Sequence, residues 1–324
     1  MSDLALLETL ATRRASLGGA ISGRIIGQTS AVDAVLTAIF AGGHALLVGV
    51  PGLAKTLLVR SIADALGWQY RRIQFTPDLM PSDITGTEIL REDRATGERH
   101  LSFVPGPLFG NLVLADEINR TPPKTQAALL EAMQERAVTS GGKTYPLPDP
   151  FFVLATQNPI EQEGTYALPE AQLDRFLVCV HLDYPSPDEE LAIATLDTRV
   201  RATIAPVLAL DEFAKLSDLV ARIPVADVAA RHAVALARAS RPAEGHAWVK
   251  EHVGWGAGPR ATQALVAAAR ARAALSGLPA VGVAEIRAVA PLVLAHRVVP
   301  SFQAAGQGID GRAIVAKLLD LVKP

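Results

Sequence analysis

Gly49-Val50-Pro51-Gly52-Leu53-Ala54-Lys55-Thr56 is the stretch that decides how this chain is read. Just upstream, His44-Ala-Leu-Leu-Val48 is a short apolar run bounded by glycines, which predicts a buried strand. Downstream, residues 56–66 carry a helical pattern closed by Gly67. Strand, glycine-rich turn and helix are the context that a phosphate-binding loop requires. Consecutive backbone N–H groups and a helix N-terminus offer positive potential to phosphate oxygens. Residues Gly49 to Ala54 would wrap the phosphates, with Leu57 beside them. Lys55 would reach the β- and γ-phosphates, and the Thr56 hydroxyl would ligate Mg²⁺. Ala54 replaces the last glycine of the usual pattern, and its methyl fits if that backbone position is helical. A glycine-rich turn with an exposed lysine would be spelled the same way, so the loop needs partners elsewhere in the chain.

Outward from the loop, strand and helix patterns alternate. Val32, Val35, Leu36, Ile39 and Phe40 form the stripe of an amphipathic helix ended by Gly42-Gly43. Tyr70–Phe75 and the more apolar runs at 111–115, 151–155 and 177–182 predict four more strands, and the almost wholly apolar 111–115 should be buried on both faces. Thr121-Pro122 reads as an N-cap followed by proline at the first position of a helix running to about Arg136. The alternation predicts a parallel sheet with helices on both faces. Two stretches interrupt it: 77–107, rich in Pro, Gly and charge, and 137–150, where Gly141-Gly142 between β-like runs suggests a hairpin. Pro185-Ser186-Pro187 marks the expected boundary between an α/β domain at 1–185 and a smaller all-α domain at 186–324. The latter is Ala-rich, with helices expected over 225–240, 260–276 and 283–297 and a kink or break at Pro291.

Composition bounds the functions. Of 324 residues 49% are hydrophobic and 20% charged, enough to bury a core and not the make-up of a disordered chain. Lys+Arg of 31 against Asp+Glu of 33 leaves no global basic excess for bulk nucleic-acid binding. Cys179 has no intrachain partner, which fits a reducing compartment, and its apolar strand makes it a core thiol. No apolar run approaches the roughly 18 residues of a membrane span, and the N-terminus lacks a secretory pattern, so a cytoplasmic protein is expected. The seven histidines show no metal-ligand spacing. Trp248 and Trp255 read as packing residues.

Five further positions complete the chemistry. Leu112-Val-Leu-Ala-Asp116-Glu117 would place Asp116 at the carboxyl end of a buried strand, where open α/β sheets bind ligands, and where it could hold Mg²⁺. Glu117 could polarise the attacking water. Thr156-Gln157-Asn158 follows the next strand, and Asn158 could orient the same water or simply form a turn before Pro159. Arg175, in Leu173-Asp174-Arg175-Phe176, could act on a neighbouring subunit's nucleotide or pair with Asp174. Arg260, opening a helix after Gly258-Pro259, could touch the γ-phosphate from the second domain or remain solvated.

In this order the motifs resemble the MoxR family of AAA+ ATPases. The matching pieces are Ile26-Gly27-Gln28, residues 41–56, Asp116-Glu117-Ile118-Asn119-Arg120, Glu131-Ala-Met-Gln-Glu135, Ala155-Thr-Gln-Asn-Pro159, Glu163-Gly-Thr-Tyr166 and residues 168–176. Ala54 is then the family's own variant of the loop. The resemblance implies a P-loop AAA+ sheet followed by a helical lid, with ATP and Mg²⁺ at the switch between the first and third strands, under that lid. It implies that Ile25, Ile26 and Gly27 line the adenine pocket, that Asn158 is the first sensor, Arg175 a trans-acting finger and Arg260 the second sensor. The stretch at about 78–109 would be the helix-2 insert and that at about 135–150 the pre-sensor hairpin, both facing a pore or a partner. Gly258 stands where the family often has serine, which leaves a weaker cap for the lid helix. Family members are similar in forming rings, usually hexamers. They remodel or mature partner proteins, often with a von Willebrand factor A domain protein, here expected on a separate chain.

Other classes were weighed. Arg71-Arg72 and the basics at 91–99 could form a nucleic-acid patch, but acidic neighbours such as Glu88, Glu92, Asp93 and Glu98 favour solvated charge. A metal-chelatase motor subunit is close in kind. A nucleotide-gated binding module with little hydrolysis would not need Glu117, Asn158 and Arg175. A metabolite kinase would need an acceptor pocket that no stretch of sequence suggests.

Overall fold

The computed structural model describes residues 2–92, 99–160, 164–196 and 203–324. The chain opens with helices α1 (Asp3–Ser22) and α2 (Thr29–Phe40), then alternates: β1 (Ala45–Val48), α3 (Lys55–Leu66), β2 (Tyr70–Gln74), a short α4 (Pro81–Thr85), a hairpin β3 (Gly86–Glu92) and β4 (Arg99–Pro105), and β5 (Leu112–Asp116). There follow α5 (Pro123–Glu135), a second hairpin β6 (Ala137–Ser140) and β7 (Lys143–Pro146), then β8 (Phe152–Gln157), α6 (Glu170–Leu173) and β9 (Val178–His181). The second half holds α7 (Pro187–Ala194), α8 (Leu210–Arg222), α9 (Asp227–Ala239), α10 (Ala247–His252), α11 (Pro259–Leu275), α12 (Val283–Leu294), α13 (Phe302–Gly306) and α14 (Gly311–Leu321). It adds one small antiparallel pair, β10 (Val253–Trp255) with β11 (Val299–Pro300). No helix among the described residues is long and apolar enough to cross a membrane.

The central sheet is parallel, in the order β2-β5-β8-β1-β9. Alternate residues of each strand enter different cores. Leu47, Leu112, Leu114, Leu154 and Val180 join α1, α2, α3 and the C-terminal helices on one face. Leu46, Val113, Ala115, Val153 and Cys179 join α5 on the other. Burial on both faces is why these strands read as continuous apolar runs.

Several expectations need correction. The fourth core strand, β8, lies between β1 and β5, so β1 has no edge shared with the third core strand. Helix α5 begins at Pro123 with Pro122 as its N-cap, because Thr121 ends a 3₁₀ turn at Ile118–Arg120. Helix α12 runs through Pro291 and ends only at Leu294, since packing of Val289, Ala290, Val293 and Leu294 into the core holds the turn despite the missing N–H. Trp255 is 71% exposed and does not pack, whereas Trp248 stacks on His252 at 4.3 Å. Helix α1, absent from the sequence reading, buries Leu7, Leu10, Leu17 and Ile21 and packs against α3, α8 and α11, bridging the two halves. The second sheetless stretch folds as the expected hairpin. The first becomes α4 plus a hairpin, and the hairpins touch through Phe103 stacked on Tyr145 at 4.0 Å. Residues 93–98 and Glu163 of the quoted motifs lie outside the described residues.

Candidate functional site at the carboxyl edge of the sheet

Because the strands are parallel, β1, β5 and β8 end at one edge, and the loops that follow them converge there. Gly49 leaves β1 by donating its N–H to Gln157 O of β8 at 3.2 Å. The Lys55 ammonium folds back onto Gly49 O, which curls the loop around its own lysine. Gly52 has φ +89° with open space where a side chain would stand, a conformation glycine adopts without strain. Ala54 has φ +53°, so the methyl-bearing residue sits in the left-handed region rather than the right-handed helix, and α3 starts one residue later. For an L-residue this costs roughly 1–2 kcal/mol, a strain the loop carries at the point where it meets the helix.

Beside the loop is an apolar cavity of about 140 Å³ lined by Ile25, Ile26, Leu53, Ala54, Leu57 and Ile193, among others. Gly27, at φ +73°, lies against Glu189 of α7, and any side chain there would meet that carboxylate. Ile25, Ile26, Gly52, Leu53, Ala54 and Leu57 are therefore brought together as expected. The helical half reaches this cavity through Pro185, Ile193 and Leu196 around α7.

The two carboxylates sit beside the loop in one hydrogen-bond network. Asp116 is only 7% exposed. Its Oδ1 accepts the Thr156 hydroxyl at 2.7 Å, and its Oδ2 accepts Arg72 Nε at 3.1 Å and Nη2 at 2.7 Å. The same Thr156 Oγ1 accepts the Glu117 N–H at 2.8 Å, fixing Glu117 at φ +58°. Glu117 Oε2 accepts from Gln74 Nε2 at 2.9 Å and from Arg120 Nη1 at 2.9 Å. Asn158 is buried at the end of β8, and its Oδ1 accepts the Ile160 N–H at 3.2 Å. The two residues expected to hold a cation, Asp116 at the end of β5 and Thr56 in the first turn of α3, carry oxygens, the donors a hard divalent ion takes. Asp116 already takes a guanidinium as partner, so the carboxylate is one that a positive charge satisfies. The residues fit Mg²⁺.

Arg175 and Arg260 are not at this edge. They line one cavity of about 100 Å³ with His44, Met133 and Gln134. His44 precedes β1, so this is the amino edge, and a four-residue strand separates it from the loop by ~13 Å. Arg260 was expected to approach the γ-phosphate from above. Instead it faces Asp174 at 3.8 Å, because α11 packs on α1 and α2 and starts at that edge. Arg175 Nη1 donates to Leu130 O at 2.7 Å.

His44 bridges the sheet to α5: Nε2–H donates to Met133 O at 3.1 Å and Nδ1 accepts Val153 N–H at 3.0 Å. Burial pulls its pKa down to about 4, so the ring is neutral. Cys179 lies 3.8 Å from His181 Nε2, yet burial pushes the thiol up to about 12, and it has no nucleophilic character.

Arg72, Gln74, Thr156 and Arg120 were not singled out as site residues. Arg72 had been read as a surface basic residue, and Gln74 as part of a strand. The one legible mark of Arg72 and Gln74 is their two-residue spacing in Tyr70-Arg-Arg-Ile-Gln74, on an edge strand next to the acidic one.

Comparison with known proteins gives a consistent picture. A family model described as the ATPase family associated with various cellular activities (AAA) matches residues 44–178, and one described as an AAA lid domain matches 246–318. The chain is 43% identical over 300 residues to chaperone MoxR1 of Mycobacterium tuberculosis, covering 92% of this chain and 78% of that protein. It is 43% identical over 301 residues to YeaC of Bacillus subtilis, covering 92% and 91%. It is 33% identical over 297 residues to the MoxR protein of Methylorubrum extorquens, covering 86% and 85%. Among solved structures, one from Cytophaga hutchinsonii described as a candidate ATPase superposes with a TM-score of 0.89 at 36% identity, covering 98% and 97%.

Proposed function

Because this chain belongs to the MoxR family of AAA+ ATPases, we propose that it hydrolyses ATP to ADP and phosphate as a chaperone-like motor that remodels partner proteins. The observation that carries the reading is the joint anchoring of Asp116 and Glu117 by Thr156, beside the phosphate loop. One hydroxyl thus ties the Asp116 carboxylate to the Glu117 backbone, which supports different jobs for the two acidic residues.

Loop amides from Gly49 to Ala54 and the Lys55 ammonium bind the triphosphate. The cavity at Ile25, Ile26 and Leu57 takes the apolar base. Asp116 and Thr56 hold the divalent cation, which when bound neutralises charge on the β- and γ-phosphate oxygens. Glu117, released from Gln74 and Arg120, accepts the proton of the attacking water, and Asn158 orients that water. Arg175 and Arg260 lie at the opposite edge from their own loop, so they serve a neighbour's nucleotide and the site is completed between subunits. A homo-oligomer follows from that sharing, and membership of the family makes it a ring, usually of six, with the hairpins β3–β4 and β6–β7 presented to a protein client. A von Willebrand factor A domain protein on another chain, and a cytoplasmic setting, belong to the same reading.

The test is Glu117→Gln. The variant should bind a non-hydrolysable ATP analogue as wild type does and release no phosphate. Equal phosphate release by both proteins would end the ATPase reading.

A further inference from the structure

Asp116 has no oxygen to spare. Thr156 takes Oδ1, and Arg72 takes Oδ2 with two nitrogens, a forked contact that a single ammonium could not make. A buried carboxylate needs such compensation, since burial without a partner disfavours its charge. Arg72 differs from Thr156 in one respect: it belongs to the edge strand β2, and 46% of its side chain is exposed, so it can withdraw into solvent. Its Nη2 also donates to Gln74 Oε1, a second acceptor in the same strand. Among the described residues no group of three or more His, Cys, Asp or Glu is placed to hold a metal by itself. A lone cation from solution would therefore meet one carboxylate, already engaged by an arginine.

We propose that Arg72 is a positioning residue that reserves the metal-binding carboxylate: in the nucleotide-free protein its guanidinium holds Asp116 Oδ2 against free divalent cations, and it yields when a triphosphate brings a cation with it. This rests on the assignment of Asp116 above. The metal and the nucleotide then enter together, and free Mg²⁺ leaves the empty site unchanged.

Manganese is the probe, titrated into the nucleotide-free full-length chain with unbound Mn²⁺ read by electron paramagnetic resonance. Removing a half-exposed, forked charge-assisted contact should tighten Mn²⁺ binding about tenfold in Arg72→Gln. Arg72→Lys, which keeps the charge and loses the fork, should show about threefold. Adding Asp116→Asn to Arg72→Gln should abolish the gain. Equal Mn²⁺ affinity in Arg72→Gln and wild type overturns the proposal, as does a gain that survives Asp116→Asn. If Arg72→Gln does not fold by circular dichroism, Arg72→Lys decides alone, and affinity equal to wild type overturns it. Failure here with intact, Glu117-dependent hydrolysis removes only the role of Arg72, whereas absent hydrolysis removes the ATPase reading whatever manganese does.

Discussion

Arg297, in the turn after α12, donates to Asp174 Oδ1 at 2.7 Å, and Asp174 is the residue immediately before Arg175. The same guanidinium donates to the carbonyls of Asp174, Phe176, Leu177 and Val293. With 4% of its side chain exposed, it is a buried charge whose hydrogen-bonding capacity is spent on the turn that carries Arg175. The helical half thus grips the finger segment at the amino edge of the sheet.

Arg297→Leu takes a donor away from the Asp174 carboxylate and from four carbonyls, of which Phe176 O keeps His296 Nε2 at 3.0 Å. Breaking a buried pair from one side typically costs about 3–5 kcal/mol. Chemical denaturation should show a loss of that order, and a change below about 1 kcal/mol would mean that the contact is ornamental. Where the variant stays folded, hydrolysis should fall while nucleotide binding persists, because Arg175 is displaced and the phosphate loop is not.

Arg175→Ala and Arg260→Ala should each keep wild-type affinity for an ATP analogue, since neither residue reaches its own loop. Loss of an arginine finger lowers turnover by about 10³-fold or more. Mixing Arg175→Ala with Glu117→Gln subunits should restore phosphate release, each supplying what the other lacks. No restoration at any ratio would show that both residues act within one chain.

His44 sets a pH limit on stability. Neutral, it accepts Val153 N–H. Protonated, its Nδ1 would point a proton at that donor. With a folded pKa near 4 against 6.5 unfolded, the unfolded chain binds the extra proton between those values, so stability is full above pH 6.5 and falls as pH drops toward 4. His44 alone should account for about 2 kcal/mol lost between pH 7 and 5. His181, His232 and His296 are also lowered by burial, so the readout is the difference in that loss between wild type and His44→Gln in denaturant titrations. An identical pH dependence in both proteins would assign the effect elsewhere.

Cys179 should be silent toward a thiol reagent at pH 8 in the native protein and react fully once unfolded, because burial keeps it protonated. Rapid native labelling would mean that the strand opens.

The sequence carried β1, β5, β8 and β9 because burial on both faces leaves little room for a polar residue to blur them: all of Leu112–Asp116 is buried. The phosphate loop and the Asp116–Glu117 pair were legible for a related reason, since both are local, each written within a few residues. What stayed hidden is non-local. Arg72 looks like any basic residue until β2 is laid beside β5 with Gln74 opposite Asp116, a register that no single strand encodes. Thr156 is one hydroxyl in a run of apolar residues, and it matters only because β8 is inserted beside β5. The position of Arg260 depends on how α11 docks against α1 and α2, and α1 is weakly marked, its four buried positions interrupted by Gly18-Gly19.

The shortness of β1 has one more result. With the phosphate loop at one end of a four-residue strand and Arg175 and Arg260 at the other, the proposed sharing would give each molecule a giving pole and a receiving pole. Copies that complete one another this way join head to tail, through contacts whose two sides differ. A turn that closes gives every copy a finished pocket, while one that never closes leaves an idle pocket at the terminus of each filament. Under that sharing, dilution would act as an off-switch, and output per molecule would climb with concentration until the poles are all engaged.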